Sequence, residues 1–465
     1  MPSSNSGGAG MCLCHGPRGI GKAAREFRPR IVLHFASRPG SGRICRYRSP
    51  IDSVPYSPDC SHERREVGLA MWRHQLPAYS PVPLTAAFRA LPQVVHLGED
   101  PRPRLSALLQ EEFGAAEVLL CGSGTQALTL ALRMARGRVD PRAPVALPAF
   151  ACFDVASGAV GADMGISFYD VDPDTLSPDL VSLERVIRAG AGTAVIAPLY
   201  GVPVDWPPIA ALAKRYNTVV IEDAAQGNGA SLNGQPVGGL GEIATLSFGR
   251  AKGWTGGNGG AVLLRRLELR GETTLEEPET SREISNALGL AAQAWLARPA
   301  VYFIPLSIPA VGLGQSRYRA PRPVGSITRT AALTLLATHE LSRAEACARK
   351  ANADALLAGM ATNRNVRLVR LHTGAAPGFL RLPVRLPSGM ASFGSAADAL
   401  RLGIAPSYPA CVADLTQVSA LMRGPESAWP GARALVREMV TLPTHGFLRS
   451  KDITEIKKSV RAARG

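Results

Sequence analysis

The feature that most constrains the fold is an alternation of short apolar strand patterns with helix patterns between residues 118 and 264. Strands that are apolar along their whole length and joined by helices form a parallel sheet covered on both faces. The sequence therefore predicts an α/β fold with a mainly parallel sheet and helices on both faces. The segments predicted after the first strand, 118–121, are strands at 166–171, 193–199, 218–222, 243–248 and 261–264, and helices at 180–187 and 206–216.

A glycine-dense loop, Ser247–Gly260, contains a single lysine, Lys252. Glycines let the backbone approach a bulky planar ligand, and a lysine with no acid beside it can act as a nucleophile. Asp223 ends a β-rich run 29 residues before Lys252. A strand-end acid can keep a pyridinium nitrogen protonated, which makes the ring an electron sink. Spacing alone leaves open whether the two residues act together or lie in unrelated loops.

A second glycine turn, Gly122–Thr125, lies between the strand 118–121 and a helix pattern. At a helix N-terminus, free backbone N–H groups and the helix dipole point at the same place, which makes an anion site. The alternative is an ordinary capped helix. Taken alone, this motif is compatible both with an anion site and with an ordinary capped helix.

Four segments in the same order resemble the DegT/DnrJ/EryC1/StrS aminotransferases: Cys121–Leu128, Pro198–Asp205, Glu222–Gln226 and Ser247–Gly260. These are pyridoxal-phosphate enzymes of fold type I that mostly aminate keto-sugar nucleotides. The likeness runs from about Leu76 to the C-terminus. It implies a fold of type I with a smaller C-terminal α+β domain beside the large one.

The resemblance assigns roles to individual residues. Lys252 would form a Schiff base with pyridoxal phosphate and transfer protons, and Asp223 would stabilise the protonated ring; these two are the predicted catalytic residues. Gly124 and Thr125 match the family's phosphate-binding turn, and Ser247 matches a further phosphate contact. Gln226 matches a position near the phenolic oxygen of the cofactor.

In the family an aromatic ring lies flat on the pyridine ring. Its usual position, four residues after a proline, is Cys152 here, because the proline is Pro148. Phe153 and Phe150 are therefore the predicted ring-stacking residues, in that order. Core packing is the alternative for both.

The resemblance implies an aminotransferase that moves an amino group from glutamate or glutamine to a keto group, and a homodimer. The predicted acceptor is a nucleotide-linked sugar. Three positions depart from the family pattern: Gly249-Arg250 replaces a His-Pro pair, Asn258 replaces an acid, and Pro198 replaces a histidine. These departures indicate a divergent branch of the family. Its alternative acceptor, in place of a nucleotide-linked sugar, is another ketone.

Two other functions are alternatives to an aminotransferase. A non-aminating relative typically replaces the Schiff-base lysine with histidine, so Lys252 argues against it. A pyridoxal-phosphate-binding regulator would bind DNA through a basic tail, but no helix-turn-helix pattern precedes the enzyme-like region. Nucleic acid is therefore not among the predicted partners.

The predicted domains are a disordered basic extension at 1–70, a large pyridoxal-phosphate-binding domain at 71–315 and a small domain at 316–465. Residues 1–70 contain 11 Lys and Arg against 5 Asp and Glu and show no helix or strand period. Competing explanations are a true start at Met71, a targeting arm and a nucleic-acid-binding tail; we favour the first. The net charge of +15 also leaves a basic excess in the folded part, which suits an anionic substrate.

Cysteine usage predicts neither a metal site nor disulfides. Cys12, Cys14 and His15 lack a second ligand pair at zinc spacing, and the cysteines after residue 70 are scattered, as in reduced cytoplasmic proteins. The apolar stretch 288–313 is interrupted by Arg298 and several prolines. It therefore predicts a linker or dimer-facing segment, with Gly312–Gln315 resembling a family linker, rather than a membrane span.

The C-terminal region shows a mixed pattern. It predicts a helix at 328–357, strands at 366–371 and 379–386, and helices at 432–440 and 453–463. Tyr408 and His445 lie in segments that resemble small-domain landmarks of the family. For both, packing is favoured over substrate contact.

Overall fold

The structure is a computed structural model that describes residues 73–271, 273–307, 316–360, 362–425 and 427–464. The predicted extension 1–70, the start at Met71 and the segment Gly312–Gln315 lie outside the described residues. So does the Cys12–His15 cluster.

The strands of the described part form three sheets. In chain order the strands are β1 (Glu117–Cys121), β2 (Val145–Pro148), β3 (Ile166–Tyr169), β4 (Thr193–Ile196), β5 (Val219–Asp223), β6 (Ser231–Leu232), β7 (Gln235–Pro236), β8 (Ile243–Ser247), β9 (Gly260–Leu264), β10 (Arg367–Leu368), β11 (Ala375–Ala376), β12 (Leu382–Arg385), β13 (Ala405–Pro406) and β14 (Met439–Leu442).

The largest sheet has seven strands in the order β1-β9-β8-β5-β4-β2-β3. Only β9 runs antiparallel to its neighbours in this sheet, β1 and β8. The remaining pairs are parallel. This arrangement confirms the predicted mainly parallel sheet.

Helices follow or separate the strands. In chain order they are α1 (Leu84–Ala90), α2 (Arg102–Phe113), α3 (Gly124–Arg136), α4 (Asp154–Gly161), α5 (Leu180–Arg188), α6 (Trp206–Tyr216), α7 (Thr280–Leu296), α8 (Phe303–Leu306), α9 (Arg329–Leu357), α10 (Ala396–Arg401), α11 (Pro430–Glu438) and α12 (Ser450–Arg461). Local sequence explains both ends of α6: Pro207 and Pro208 lie in its first turn, and Asn217 ends it in a left-handed conformation (φ +53°).

Apolar layers cover both faces of the central sheet. Leu105 and Leu109 of α2 pack with β1, β9 and the first turns of α9 in one layer. Leu183 of α5 and Ile209 of α6 cover β3 and β4 on the same face. On the opposite face, Leu128 of α3 and Val155 of α4 pack in one cluster with Val195 and Ile221. Burying a leucine or isoleucine side chain stabilises a fold by about 1.5–3 kcal/mol. The layers therefore account for the position of the sheet between helices.

A four-stranded antiparallel sheet, in the order β10-β12-β14-β13, lies within the C-terminal region. It corrects the predicted helix at 432–440, because α11 ends at Glu438 and the chain continues as β14. All four residues of β14 are buried, and the strand pairs with β12 on one side and β13 on the other. Pairing with strands that are distant in the sequence decides the conformation of this segment. Local apolar spacing does not show that pairing. The boundary between the predicted domains at residue 315 stays a prediction.

The apolar stretch that begins at residue 288 is predicted to be a linker or a dimer-facing segment, and its first part lies in α7, which extends to Leu296. Leu290 and Ala294 of this helix pack against Val82 and Ala87. Within the described residues, no helix combines the length and the apolar character that crossing a membrane requires.

Candidate active site

Three segments reach the same edge of the central sheet. Cys121 ends β1 and Ser247 ends β8, and both pair with Gly260 at the start of β9. Asp223 ends β5 next to β8. Ligands of open α/β sheets bind beyond the carboxyl ends of the strands. The fold therefore brings the predicted residues of three separate motifs to one place.

Gly260 allows this convergence. A Cβ atom at this position would lie 2.5 Å from the carbonyl oxygen of Ser123, which no side chain could occupy without moving the backbone. The turn before α3 and the start of β9 can therefore approach only because residue 260 is a glycine.

The turn at the start of α3 forms an anion cradle. The Ser123 hydroxyl accepts a hydrogen bond from the N–H of Gln126 at 3.2 Å and caps the helix. The N–H groups of Gly124 and Thr125 have no acceptor within the helix, as at any helix N-terminus. Ser247 is next to them, since a Cβ on Gly124 would lie 2.6 Å from the Ser247 Oγ. Within the described part of the chain, that hydroxyl has no hydrogen-bond partner.

Asp223 is fixed through one of its carboxylate oxygens. The Thr245 hydroxyl and the N–H of Ala225 donate to Oδ1 at 3.3 and 3.2 Å. Burial raises the pKa of Asp223, and the positive charge of Lys252 is the largest opposing cause. The charge of Asp154 raises this pKa further. Lys252 and Asp223 are thus close enough to interact, and their joint catalytic role stays a prediction.

The loop that carries Lys252 is held on both sides of the lysine. The N–H of Gly253 donates to the hydroxyl of buried Ser80 at 2.9 Å, and the Thr255 hydroxyl donates to the Phe248 carbonyl at 2.8 Å. Ala251, just before the lysine, has a left-handed backbone (φ +61°). Lys252 itself is half-buried, and among the described residues it has no ion pair or hydrogen bond. An uncommitted amine is what a nucleophilic lysine requires.

Gln226 contacts Tyr200 and Tyr408, which together form the tyrosine wall of the site. Its Oε1 accepts from the N–H of Tyr200 at 3.0 Å, and its Nε2 donates to the hydroxyl of Tyr408 at 2.8 Å. The two tyrosine rings are stacked with centroids 6.1 Å apart. Ser407 is hydrogen-bonded to the Tyr200 hydroxyl. The contact of Gln226 with a cofactor oxygen stays a prediction, and the structure adds a role for its amide in placing the tyrosines.

The two predicted stacking residues lie in the core. Phe150 is fully buried and Phe153 is 5% exposed. Phe150 meets Tyr408 edge to face at a centroid distance of 5.3 Å. Their contact with a cofactor ring stays a prediction, because packing alone accounts for both side chains.

Cys152, between these two phenylalanines, is closer to the predicted catalytic pair. Burial raises the pKa of its thiol to about 12, the charges of Asp154 and Asp223 raise it, and that of Lys252 lowers it. Its Sγ lies 3.5 Å from the Asp154 Oδ2. A protonated thiol therefore occupies the position where the family pattern has an aromatic residue.

Sequence reasoning missed several residues of this region. Thr245 could have been found, because it lies two residues before Ser247 on β8 and strand side chains alternate. Asp154 and Arg381 come from distant segments without a shared spacing, and Tyr408, for which the sequence favours packing, contacts Gln226. His445, in contrast, is buried with its Nε2 2.9 Å from the Leu76 carbonyl, in keeping with the favoured packing role. Among the described residues, no cluster of His, Cys, Asp or Glu has the arrangement to hold a metal ion.

Comparison with known proteins shows which family the central part of the chain resembles. Residues 98–276 match the model of the DegT/DnrJ/EryC1/StrS aminotransferase family. A UDP-N-acetyl-3-dehydro-α-D-glucosamine 3-aminotransferase of Acidithiobacillus ferrooxidans is 36% identical over 157 residues, 34% of this chain and 42% of the relative. An L-glutamine:2-deoxy-scyllo-inosose aminotransferase of Streptomyces kanamyceticus is 36% identical over 33% of this chain and 37% of its own.

A third relative, a pleiotropic regulatory protein of Geobacillus stearothermophilus, is 39% identical over 32% of this chain and 40% of its own. The chain thus spans about two fifths of the length of the curated relatives that it matches.

Solved structures resemble a larger part of the chain. The sugar aminotransferase CalS13 of Micromonospora echinospora aligns with a TM-score of 0.65 at 21% identity, covering 83% of this chain and 98% of its own. The PLP form of a proposed sugar aminotransferase, Spr1654 of Streptococcus pneumoniae, aligns with a TM-score of 0.63 at 17% identity, over 84% and 99%. These likenesses confirm the predicted fold of type I.

Proposed function

We propose, on the premise that residues 98–276 belong to the DegT/DnrJ/EryC1/StrS aminotransferase family, that the protein is a pyridoxal-phosphate-dependent aminotransferase. It moves an amino group from glutamate or glutamine to a keto group, that of a nucleotide-linked sugar. One observation carries the proposal: an uncommitted lysine, a half-buried acid and an anion cradle meet at one edge of the sheet. Each has the chemistry that one part of the cofactor needs.

The residues present fit pyridoxal phosphate. Gly124, Thr125 and Ser247 would hold its phosphate, because the helix N-terminus and the unpartnered hydroxyl both donate. Asp223 would hold its ring nitrogen through the oxygen that Thr245 and Ala225 leave uncommitted. When bound, the cofactor supplies an electron-withdrawing ring that stabilises negative charge on the substrate carbon.

Lys252 would perform two tasks at its Nζ atom. It would hold the cofactor covalently, and once released it would take the proton from the Cα of the amino donor. Asp223 would lie beside the ring nitrogen, and the charge of Lys252 opposes the effect of burial on its pKa. The tyrosine wall of Tyr200 and Tyr408 would exclude water from one side of the site.

The substrate classes are inferred from the relatives. One of them acts, by its name, on a UDP-linked dehydro-sugar and another on an inosose with L-glutamine; both acceptors are ketones on a hydroxylated ring. Arg250 is exposed beside the lysine loop and would suit the phosphates of a nucleotide. A cytoplasmic location fits both the soluble substrates and the unpaired cysteines of the described residues.

A homodimer is part of the proposal. An exposed apolar face on α1 and α7 and between them supports it; its members are Phe88 (63% exposed), Val95 (66%), Leu97 (62%), Leu288 (67%) and Trp295 (53%). Large exposed apolar patches mark interaction surfaces. Asn286 of α7 donates to the Gly256 carbonyl of the lysine loop at 3.1 Å, so the helix that carries part of this face contacts that loop. Light scattering of the wild type and of Leu288→Lys would test it, since a lysine there should give a monomer.

The absorbance spectrum of the purified protein with pyridoxal phosphate, before and after addition of glutamate, tests the function. We expect a band of lysine-bound cofactor that glutamate converts to the band of the aminated cofactor. Lys252→Ala should bind cofactor without the covalent band. A wild type without that band would overturn the role of Lys252. A band that neither glutamate nor glutamine changes would favour a non-aminating enzyme.

A regulatory role is the second candidate, because one relative is a pleiotropic regulatory protein. Salt-sensitive DNA binding by the full chain, absent from a chain that starts at Met71, would support it. A full chain that does not bind DNA at low salt would exclude it.

A further inference from the structure

Arg381 lies at the wall of the candidate active site. The preceding backbone is held there, because the N–H of Gly378 donates to the Gly201 carbonyl at 2.9 Å. Gly201 is left-handed (φ +78°), and a Cβ on it would lie 3.1 Å from the N–H nitrogen of Leu380 and 3.2 Å from the carbonyl of Gln226. The segment that ends at Arg381 therefore packs directly against the residues that place the two tyrosines.

The two arginines of this segment differ in their partners. Arg385, four residues later, is buried and donates to Asp174 and Glu438, with an Nη2 to Oε2 distance of 2.8 Å to Glu438. Arg381 is half-buried, and among the described residues it has neither an ion pair nor a hydrogen bond. A half-buried guanidinium loses part of its hydration, so an unpaired one is costly unless a ligand completes it.

The surroundings of Arg381 connect it to the reacting groups. Burial raises the pKa of Tyr200, Tyr302 and Tyr408, and the charge of Arg381 opposes that rise in all three. Cys152 interacts with Tyr200 and Tyr408 and also with Lys252. Arg381 and Lys252 thus both lie near the group formed by Cys152, Tyr200 and Tyr408.

We propose that Arg381 is a substrate-binding residue that pairs with an oxyanion of the substrate, a carboxylate or a phosphate, at the tyrosine wall formed by Tyr200 and Tyr408. The planar guanidinium can hold either group through two parallel hydrogen bonds. This inference rests on the proposed function, because that function supplies both anions: the carboxylate of the amino donor and the diphosphate of the acceptor.

Isothermal titration of the cofactor-loaded protein with two unreactive probes, glutarate and UDP, separates the two sources. We expect Arg381→Ala to weaken the binding of one probe by about 10- to 100-fold, as the loss of a charged hydrogen-bonded pair does. Arg381→Lys, which keeps the charge but not the fork, should lie between. Arg367→Ala is the matched control, because Arg367 is an exposed arginine of β10, which pairs with the strand that begins just after Arg381.

Weaker glutarate binding assigns the carboxylate, and weaker UDP binding assigns the phosphate. The proposal is overturned if both probes bind to Arg381→Ala as to the wild type, if neither binds to the wild type, or if Arg367→Ala loses as much. Should Arg381→Ala not fold, the same comparison is made with Arg381→Lys and Arg381→Gln. Conversion of glutamate by the wild type is measured on the same samples. A protein that binds a probe through Arg381 but does not convert glutamate or glutamine would refute the proposed function and leave the anion site standing.

Discussion

Glu222 and Asp223 are adjacent acids at the end of β5, yet they lie in two different regions of the molecule. Successive side chains of a strand point to opposite faces, so one acid faces the loop 238–241 and the other faces the site. Glu222 is fully buried and accepts from the N–H groups of Gly238, Leu240 and Gly241 at 2.7, 2.9 and 2.9 Å. Asp223 keeps one oxygen uncommitted.

The difference separates a structural acid from a functional one. Burial raises the pKa of both carboxyl groups. For Glu222 the main opposing causes are three backbone N–H groups, whereas for Asp223 the largest is the charge of Lys252. The three backbone N–H groups occupy the carboxylate oxygens of Glu222 and so fix the loop 238–241. No oxygen of Glu222 is then left to bind a ligand. A carboxylate balanced by a lysine that itself has no hydrogen bond can serve a reaction.

The largest expected effect is on the functional side. Asp223→Asn should slow the glutamate half-reaction by about 10³-fold, because the neutral amide no longer favours the protonated ring. Its free energy of unfolding should change by less than about 1 kcal/mol. Stopped-flow absorbance and denaturant unfolding measure the two quantities. Glu242→Gln, an exposed acid of the next strand region, should change neither; a rate for Asp223→Asn within tenfold of the wild type would contradict the assignment.

The reverse pattern is expected for the neighbouring acid. Glu222→Gln should lower the free energy of unfolding by about 3 kcal/mol, because an amide cannot accept from three buried N–H groups as a carboxylate does. Cofactor affinity of the folded protein should stay within about twofold of the wild type. Guanidinium unfolding and a cofactor titration check both parts. Equal losses of stability and of cofactor affinity would remove the distinction between the two acids.

His445 extends the comparison to a second structural group. Burial lowers the pKa of His445 from 6.5 to about 4, so the unfolded chain binds more protons between these values. Stability should therefore fall as the pH drops through this window, by about 3 kcal/mol in total from this residue. Unfolding at a series of pH values would show it, and His445→Gln should flatten that part of the curve. An unchanged slope in the variant would assign the pH dependence to other groups.

The smallest expected effect concerns the anion cradle. Ser247→Ala should weaken cofactor binding by about tenfold, the value of one hydrogen bond to a charged group. The fold should be unaffected, because the Ser247 hydroxyl has no partner within the described residues. A fluorescence titration with pyridoxal phosphate measures the affinity, and Ser281→Ala at an exposed position is the control. No change in affinity would place the phosphate elsewhere.

The sequence was sufficient where local patterns carry the information. The strand and helix periods predicted the central sheet and α6 (Trp206–Tyr216), because burial on both faces imposes apolar residues at every strand position. The four family-like segments predicted Lys252, Asp223 and Ser247 as one site. The fold brings all three to one sheet edge, since the carboxyl ends of parallel strands meet there.

Contacts between distant segments were decided only by the tertiary structure. The predicted helix 432–440 includes the first two residues of β14. The pairing of β14 with β12 and β13 makes them part of a strand in spite of their local helical pattern. Arg381 and Arg385 share residue type and segment, yet only Arg385 meets two carboxylates. Gln226 likewise acquires its two tyrosine neighbours, and Cys152 its neighbour Lys252, from distant segments of the chain. A sequence determines periodicity and which chemical groups are present, but which group stays unpaired depends on long-range packing, and that packing exists only in the folded chain.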